Sequence, residues 1–138
     1  MDKLQNLLER DAVQRVLTRY ANALDTHQPQ RLLTEVFAPD AEVDYSAAGG
    51  IQGSPAELVN WLGEAMSKFD GWQHLLGNFV IDVEGDTATS RTECFNPLQS
   101  KDATVLVGCC YHDSLLKVGG QWRIVRRKLS VSWMKEWS

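Results

Sequence analysis

No apolar run in this sequence approaches the roughly 18 residues that a membrane span requires, so no membrane partner is expected. A disulfide framework is missing too. The three cysteines, Cys94, Cys109 and Cys110, are odd in number and unspaced, which points to a reducing compartment. Cys109 and Cys110 adjoin on an expected strand and would point to opposite faces, which argues against a bridge between them. Neither a C-x-x-C pair nor a His-rich tract is present, so no metal site is expected. Basic excess is lacking as well: the net charge is -4, which argues against a nucleic-acid partner. The one basic cluster, Arg123, Arg126, Arg127 and Lys128, lies inside an expected strand whose alternation splits it between two faces. A solvated or salt-bridged face is its simplest reading. The opening M-D-K-L-Q-N-L-L-E-R-D lacks the apolar stretch of a signal peptide, and a cytoplasmic location is expected. Repeats, linkers and low-complexity segments are absent.

What is present is the material of one ordinary domain, residues 1–138. With 43% hydrophobic and 23% charged residues, the composition is that of a globular protein. Val13, Val16, Leu17, Tyr20 and Leu24 form an amphipathic helical stripe. Asp11 with Gln14 is placed to open that helix as a capping box, and T-H-Q-P closes it near Asp25. A short second helix carries Leu32, Leu33, Val36 and Phe37 and is broken at Pro39-Asp40. A strand is expected from Ala41 to Ser46 and a short one at Ile51-Gln52-Gly53. Ser54-Pro55-Ala56-Glu57 is a strong helix start, for a helix reaching about Lys68. Long strands follow near 72–84, 87–97, 103–118 and 121–134, the last two joined at Gly119-Gly120. Helices first and an antiparallel meander after them indicate an α+β fold. A curved sheet closed by helices on one face makes a cone with an interior cavity suited to a small molecule.

Three polar residues stand out against apolar neighbours. Tyr20 and Asp25 end the first helical stripe, in R-Y-A-N-A-L-D, and His74 opens the strand-like H-L-L-G-N-F-V-I-D. Each alone has a structural explanation: a core tyrosine bonded to backbone, a turn-forming aspartate, a satisfied histidine. Brought together in one apolar pocket, they make an acid–base device. An imidazole titrates near 6.5 in an ordinary setting, close to working pH, and a carboxylate on one ring nitrogen sets its tautomer. A phenol can donate to a leaving oxygen or to a carbonyl that gains charge. Further candidates for the cavity wall are Phe37, Tyr45, Trp61, Met66 and Trp72, with Asn78 on the strand parity of His74 and His112 of undecided face. Arg91 and Glu93 share a face and are expected to form a cross-strand surface pair, and His27 is expected to be solvated. Trp133 and Trp137 are expected either over the cavity mouth or at a subunit interface.

R-Y-A-N-A-L-D-T-H-Q-P-Q-R-L-L-T-E-V-F-A-P-D-A-E-V-D-Y, I-Q-G-S-P-A-E-L, Q-H-L-L-G-N and G-Q-W-R-I-V-R-R-K-L together resemble the SnoaL-like branch of the NTF2-like superfamily over nearly the whole chain. The resemblance implies the NTF2-like (cystatin-like) cone, a strongly curved, mostly antiparallel sheet with helices on its concave face. The branch is similar to scytalone dehydratase, bile-acid 7α-dehydratase and hexachlorocyclohexane dehydrochlorinase. There a strand histidine acts with an aspartate at the end of the first helix, the positions of His74 and Asp25 here. Tyr20 matches a catalytic tyrosine of the two dehydratases, but not of the dehydrochlorinase. The implied activity is a cofactor-independent, dehydratase-like elimination on a small apolar cyclic, polyketide- or terpenoid-type substrate. An isomerase or cyclase using the same residues is the alternative, as is a non-catalytic binding or assembly subunit, because this superfold hosts both. Because helices cover only one face of such a cone, the outer face of the sheet is expected to carry apolar residues and the chain to form a homo-oligomer; the resemblance implies a trimer ahead of a dimer.

Overall fold

In a computed structural model describing residues 2–138, the chain forms helices α1 (Lys3–Asp25), α2 (Leu32–Glu35) and α3 (Pro55–Met66) around a single sheet. The strands are β1 (Phe37–Asp44), β2 (Gln52–Gly53), β3 (Gly71–Trp72), β4 (Leu75–Glu84), β5 (Thr87–Gln99), β6 (Thr104–Val118) and β7 (Gln121–Trp137). Their order is β2-β1-β7-β6-β5-β3, with β4 also on β5. Every pairing is antiparallel except β1 with β7. The sheet is open, and the architecture is the α+β, NTF2-like cystatin-like fold.

The α1 stripe behaves as its spacing predicts: Val13, Val16, Leu17, Tyr20 and Leu24 are all buried against the sheet. The helix begins eight residues before the expected Asp11, with Asp2 accepting from the Gln5 amide at 2.7 Å. Asp11 is instead an exposed mid-helix residue paired with Arg15 at 2.8 Å. The early turns hid because Leu4, Leu7 and Leu8 are exposed there, so no buried stripe marks them. At α3 the Ser54–Glu57 capping box is reciprocal, with Glu57 N donating to Ser54 Oγ and Ser54 N to Glu57 Oε1.

Departures from strict strand alternation carry most of the surprises. β1 starts at Phe37 and runs through Pro39, which sits within the register shift between Phe37 and Glu42, where no ladder donor is required. The expected strand 72–84 is two strands, with Gln73 and His74 between them. A shift between Gly77 and Val80 puts Asn78 at φ 49 in a β4 bulge. In the β6–β7 ladder, register shifts fall between Gly108 and Cys109 and between Ser114 and Leu115. Bulges of this kind bend a sheet and re-aim its side chains. Along β7 the inward face therefore moves from Trp122 and Ile124 to Arg127 and Leu129, all four buried.

Candidate functional site

Asp25 is the last residue of α1. A carboxylate there faces the negative end of the helix dipole, which costs about 0.3–1 kcal/mol. Two hydrogen bonds from His74 offset this. The His74 backbone amide donates to Asp25 Oδ2 at 2.9 Å, and its Nδ1 meets Asp25 Oδ1 at 2.7 Å. The His74 side chain is only 5% exposed, against 26% for that of Asp25. Neighbouring contacts hold the segment that carries His74. Trp72 Nε1 donates to the Leu24 carbonyl at 2.9 Å, and Asn96 Nδ2 donates to the Gln73 carbonyl at 2.7 Å. Gln73 N donates to the Pro97 carbonyl at 3.1 Å. With Nδ1 committed to Asp25, Nε2 is the nitrogen left for chemistry. It has no bonding partner among the described residues, and the ring lines a cavity.

That cavity measures about 490 Å³ and is bounded by α3, the Ala47–Gly49 turn and the inner faces of β5, β6 and β7. Its wall is mainly apolar, including Leu62, Val105, Val107 and Leu129, with His74, Asn96 and three tyrosines as the polar groups. The volume falls within the range of small-molecule sites. A larger groove of about 690 Å³ runs along the β1 edge, but Asp40, Glu42, Asp44, Arg126 and Lys128 line it and His74 is not part of it.

Across from His74 lies a buried relay. Tyr20 sits edge-on to the His74 ring, with centroids 6.2 Å apart. Tyr45 Oη donates to Tyr20 Oη at 2.6 Å, and Arg127 Nη1 donates to Tyr45 Oη at 3.2 Å. Asp113 grips Arg127 with both oxygens, at 2.7 and 2.8 Å, and neither side chain is more than 1% exposed. The guanidinium packs over both rings of the Tyr20–Tyr111 pair, 4.2 and 4.1 Å from their centroids. Burial opposes its charge, but Asp113 and the tyrosines hold the Arg127 pKa well above the arginine norm. Burial, reinforced by Tyr45, pushes the Tyr20 phenol well above its usual value against the opposing pull of Arg127. Tyr20 therefore stays protonated. Its oxygen accepts from Tyr45, and the residue lines the cavity.

Of the candidates read from sequence, Tyr20, His74, Tyr45, Trp61 and Met66 line this cavity, and Asp25 stands behind His74. Four do not. Phe37 is buried in the core with its edge on Tyr20, 6.3 Å between centroids. Trp72 belongs to a separate pocket with His27, its indole nitrogen committed to Leu24. Asn78 is exposed because the β4 bulge breaks its parity with His74. His112 faces outward, bonded to Ser130 Oγ at 3.1 Å, because Tyr111 and Asp113 on either side of it point inward. Trp133 is half exposed and stacks on Phe95, while Met134 reaches the cavity. His27 is exposed as expected, its ring resting on Trp72 at 4.5 Å. Arg91 and Glu93 pair at 2.9 Å on one face, but along β5 rather than across two strands.

Nothing in the sequence pattern alone marks Arg127, Tyr111, Asn96 and Cys109 as site residues. Arg127 was read as part of a solvated or salt-bridged cluster; it is salt-bridged, but in the core. Counting back by twos from the apolar Leu129 puts Arg127 inward, whereas counting forward from Trp122 and Ile124 crosses the bulge and selects Arg126. Asp113 shares parity with Tyr111 and Leu115, both buried, and that shared parity is the sequence signal for its inward face.

The profile of the SnoaL-like domain matches residues 5–128. An uncharacterised protein of Mycobacterium tuberculosis is 36% identical over 130 residues, covering 92% of this chain and 88% of that one. Among solved structures, a candidate scytalone dehydratase of Novosphingobium aromaticivorans superposes with a TM-score of 0.84 at 26% identity, over 96% of this chain and 90% of that chain. A hexachlorocyclohexane dehydrochlorinase of Novosphingobium barchaimii gives a TM-score of 0.84 at 17% identity, over 99% and 95% of the two chains, a likeness of fold. With the profile spanning most of the chain and the cone fold in place, the protein belongs to the SnoaL-like family.

Proposed function

We propose that the protein is a cofactor-independent lyase that eliminates water, dehydratase-fashion, from a small apolar cyclic substrate of polyketide or terpenoid type. The observation that carries this reading is the Asp25–His74 hydrogen bond beside an open apolar cavity, with the Tyr20 hydroxyl on the same cavity. In this reading His74 Nε2 removes a C–H proton, and Asp25 holds the tautomer and stabilises the imidazolium that forms. Tyr20 donates to the departing hydroxyl, or to a neighbouring carbonyl oxygen as it gains charge. Tyr45 and Arg127 donate along the chain toward Tyr20, so its oxygen accommodates negative charge more readily in the transition state than in the ground state.

The test is incubation with a panel of cyclic β-hydroxyketones, followed by mass spectrometry. A product lighter by one water is expected, together with a loss of about 10²–10⁴-fold in kcat/KM for His74→Ala. Full turnover in that variant would overturn the assignment of the base. A product of unchanged mass would instead identify an isomerase or cyclase built on the same residues. Against a purely structural subunit stands the open cavity itself, since a subunit of that kind has no use for an oriented imidazole facing empty space.

Self-assembly belongs to the same proposal. Phe95, Trp133 and Trp137 are large, apolar and 41–50% exposed. A homotrimer, or failing that a dimer, would cover such residues. Sedimentation showing a monomer at micromolar concentration would refute it.

A further inference from the structure

A second reactive pair has one member in the cavity wall. Cys94 of β5 and Cys109 of β6 stand directly opposite each other in the antiparallel register, both buried and both free thiols. Cys109 lines the cavity, next to Tyr111. Cys110 does not line it, and its sulfur lies 3.9 Å from the Tyr111 carbonyl oxygen. The neighbouring Cys94 thiol holds Cys109 below its ordinary value against the penalty of burial, and Tyr111 and Arg127 pull the same way. The same contact and burial push Cys94 up, and burial pushes Cys110 up. Cys109, the member that faces the cavity, is placed to act as the nucleophile, and Cys94 opposite it as the resolving group.

We infer that Cys94 and Cys109 form an oxidisable dithiol, which organic hydroperoxides admitted by the cavity convert to a disulfide in its wall. The Cys109 sulfur attacks the terminal peroxide oxygen. The O–O bond breaks, the alkoxide takes up the thiol proton and leaves as an alcohol, and Cys109 becomes a sulfenic acid. The Cys94 sulfur then attacks Cys109, the S–O bond breaks, and the hydroxyl leaves as water with the Cys94 proton. Overall, two thiols lose two electrons and one hydroperoxide yields one alcohol and one water. Cross-strand Cβ atoms lie about 4.5–5.5 Å apart and a disulfide needs about 3.5–4.5 Å, so the strands close by about 1 Å. A bond formed against that displacement is readily reduced again. Apolar hydroperoxides are the fitting oxidants, because Cys109 shares the cavity wall with Leu129, Val107 and Val131. Nothing in this chemistry depends on the elimination proposed for His74.

The experiment treats the reduced, folded protein with cumene hydroperoxide, blocks remaining thiols and maps the cysteines by mass spectrometry. The expected result is an intramolecular Cys94–Cys109 link with loss of two hydrogens, reversed by dithiothreitol. In Cys94→Ser, dimedone should trap a sulfenic acid on Cys109, whereas Cys109→Ser should give neither product. Circular dichroism checks that each variant is folded, and Cys94→Ala replaces Cys94→Ser if the serine variant is not. Oxidation of Cys110 at a rate equal to Cys109 would overturn the inference. So would a link that forms only in urea.

Discussion

At the scale of single residues, the site is a set of polar groups held where physics discourages them. Asp25 opposes its helix dipole, and its stabilising partners are both on His74. Asp25→Asn keeps the shape but loses the carboxylate, so kcat for any identified substrate should fall by about 10²–10⁴-fold, read from steady-state kinetics. KM should change little, because Asp25 lies behind the histidine. Arg127 and Asp113 are a buried pair, for which removing one partner typically costs about 3–5 kcal/mol by stranding the other charge. Arg127→Met should therefore unfold at markedly lower urea than Arg127→Met combined with Asp113→Leu, in which no charge is stranded. Equal midpoints for the single and double variants would show that the charge is not buried as described. Tyr20, Asp25 and His74 were legible in the sequence because each interrupts an apolar pattern. Arg127 was not, because a bulge one turn of the pleat upstream hides its parity and its charged neighbours suggest solvent.

At the scale of elements, α3 forms the cavity wall through Trp61, Leu62, Ala65 and Met66, and its start is set by one capping box. Ser54→Ala removes the Oγ that accepts from Glu57 N and should lower stability by about 1 kcal/mol, seen as a shifted denaturant midpoint with unchanged slope. This start was readable from four residues because Ser, Pro and Glu each solve a local hydrogen-bonding problem. β4 was harder. Its alternation reads smoothly from His74 to Asn78, yet the left-handed φ of Asn78 and the shift from Gly77 to Val80 break it. Nothing in H-L-L-G-N-F announces the bulge apart from the Gly-Asn pair, whose tolerance of positive φ is its only trace. β1 begins earlier than its sequence suggests for a related reason, since Pro39 argues locally against a strand and only the gap in the β1–β7 register there makes it acceptable.

At the scale of the whole molecule, a long helix must lie in fixed register across a bent sheet for Tyr20 and Asp25 to reach His74. Glu9 fixes the other end of α1. It is buried, and its carboxylate accepts from Lys117 Nζ at 2.7 Å, Trp122 Nε1 at 2.7 Å and Gln5 Nε2 at 3.0 Å. Lys117 and Trp122 flank the β6–β7 turn, so this one side chain ties the helix to the hairpin 108 and 113 residues away. The Lys117 hydrogen bond, opposed by burial and aided by Trp122, holds Glu9 below its ordinary pKa. A folded-state pKa below the unfolded value means that the stabilisation is complete above the glutamate norm of about 4.3 and is lost as pH falls through the folded value. Glu9→Gln should therefore melt below the wild type at neutral pH, and the gap should narrow as the buffer is taken below about 4.3. A gap in Tm that stays constant from neutral to strongly acidic buffer would mean that Glu9 acts by shape alone. Narrowing of the gap would identify it as an ionic tie between helix and hairpin, 16 residues upstream of the carboxylate that orients His74.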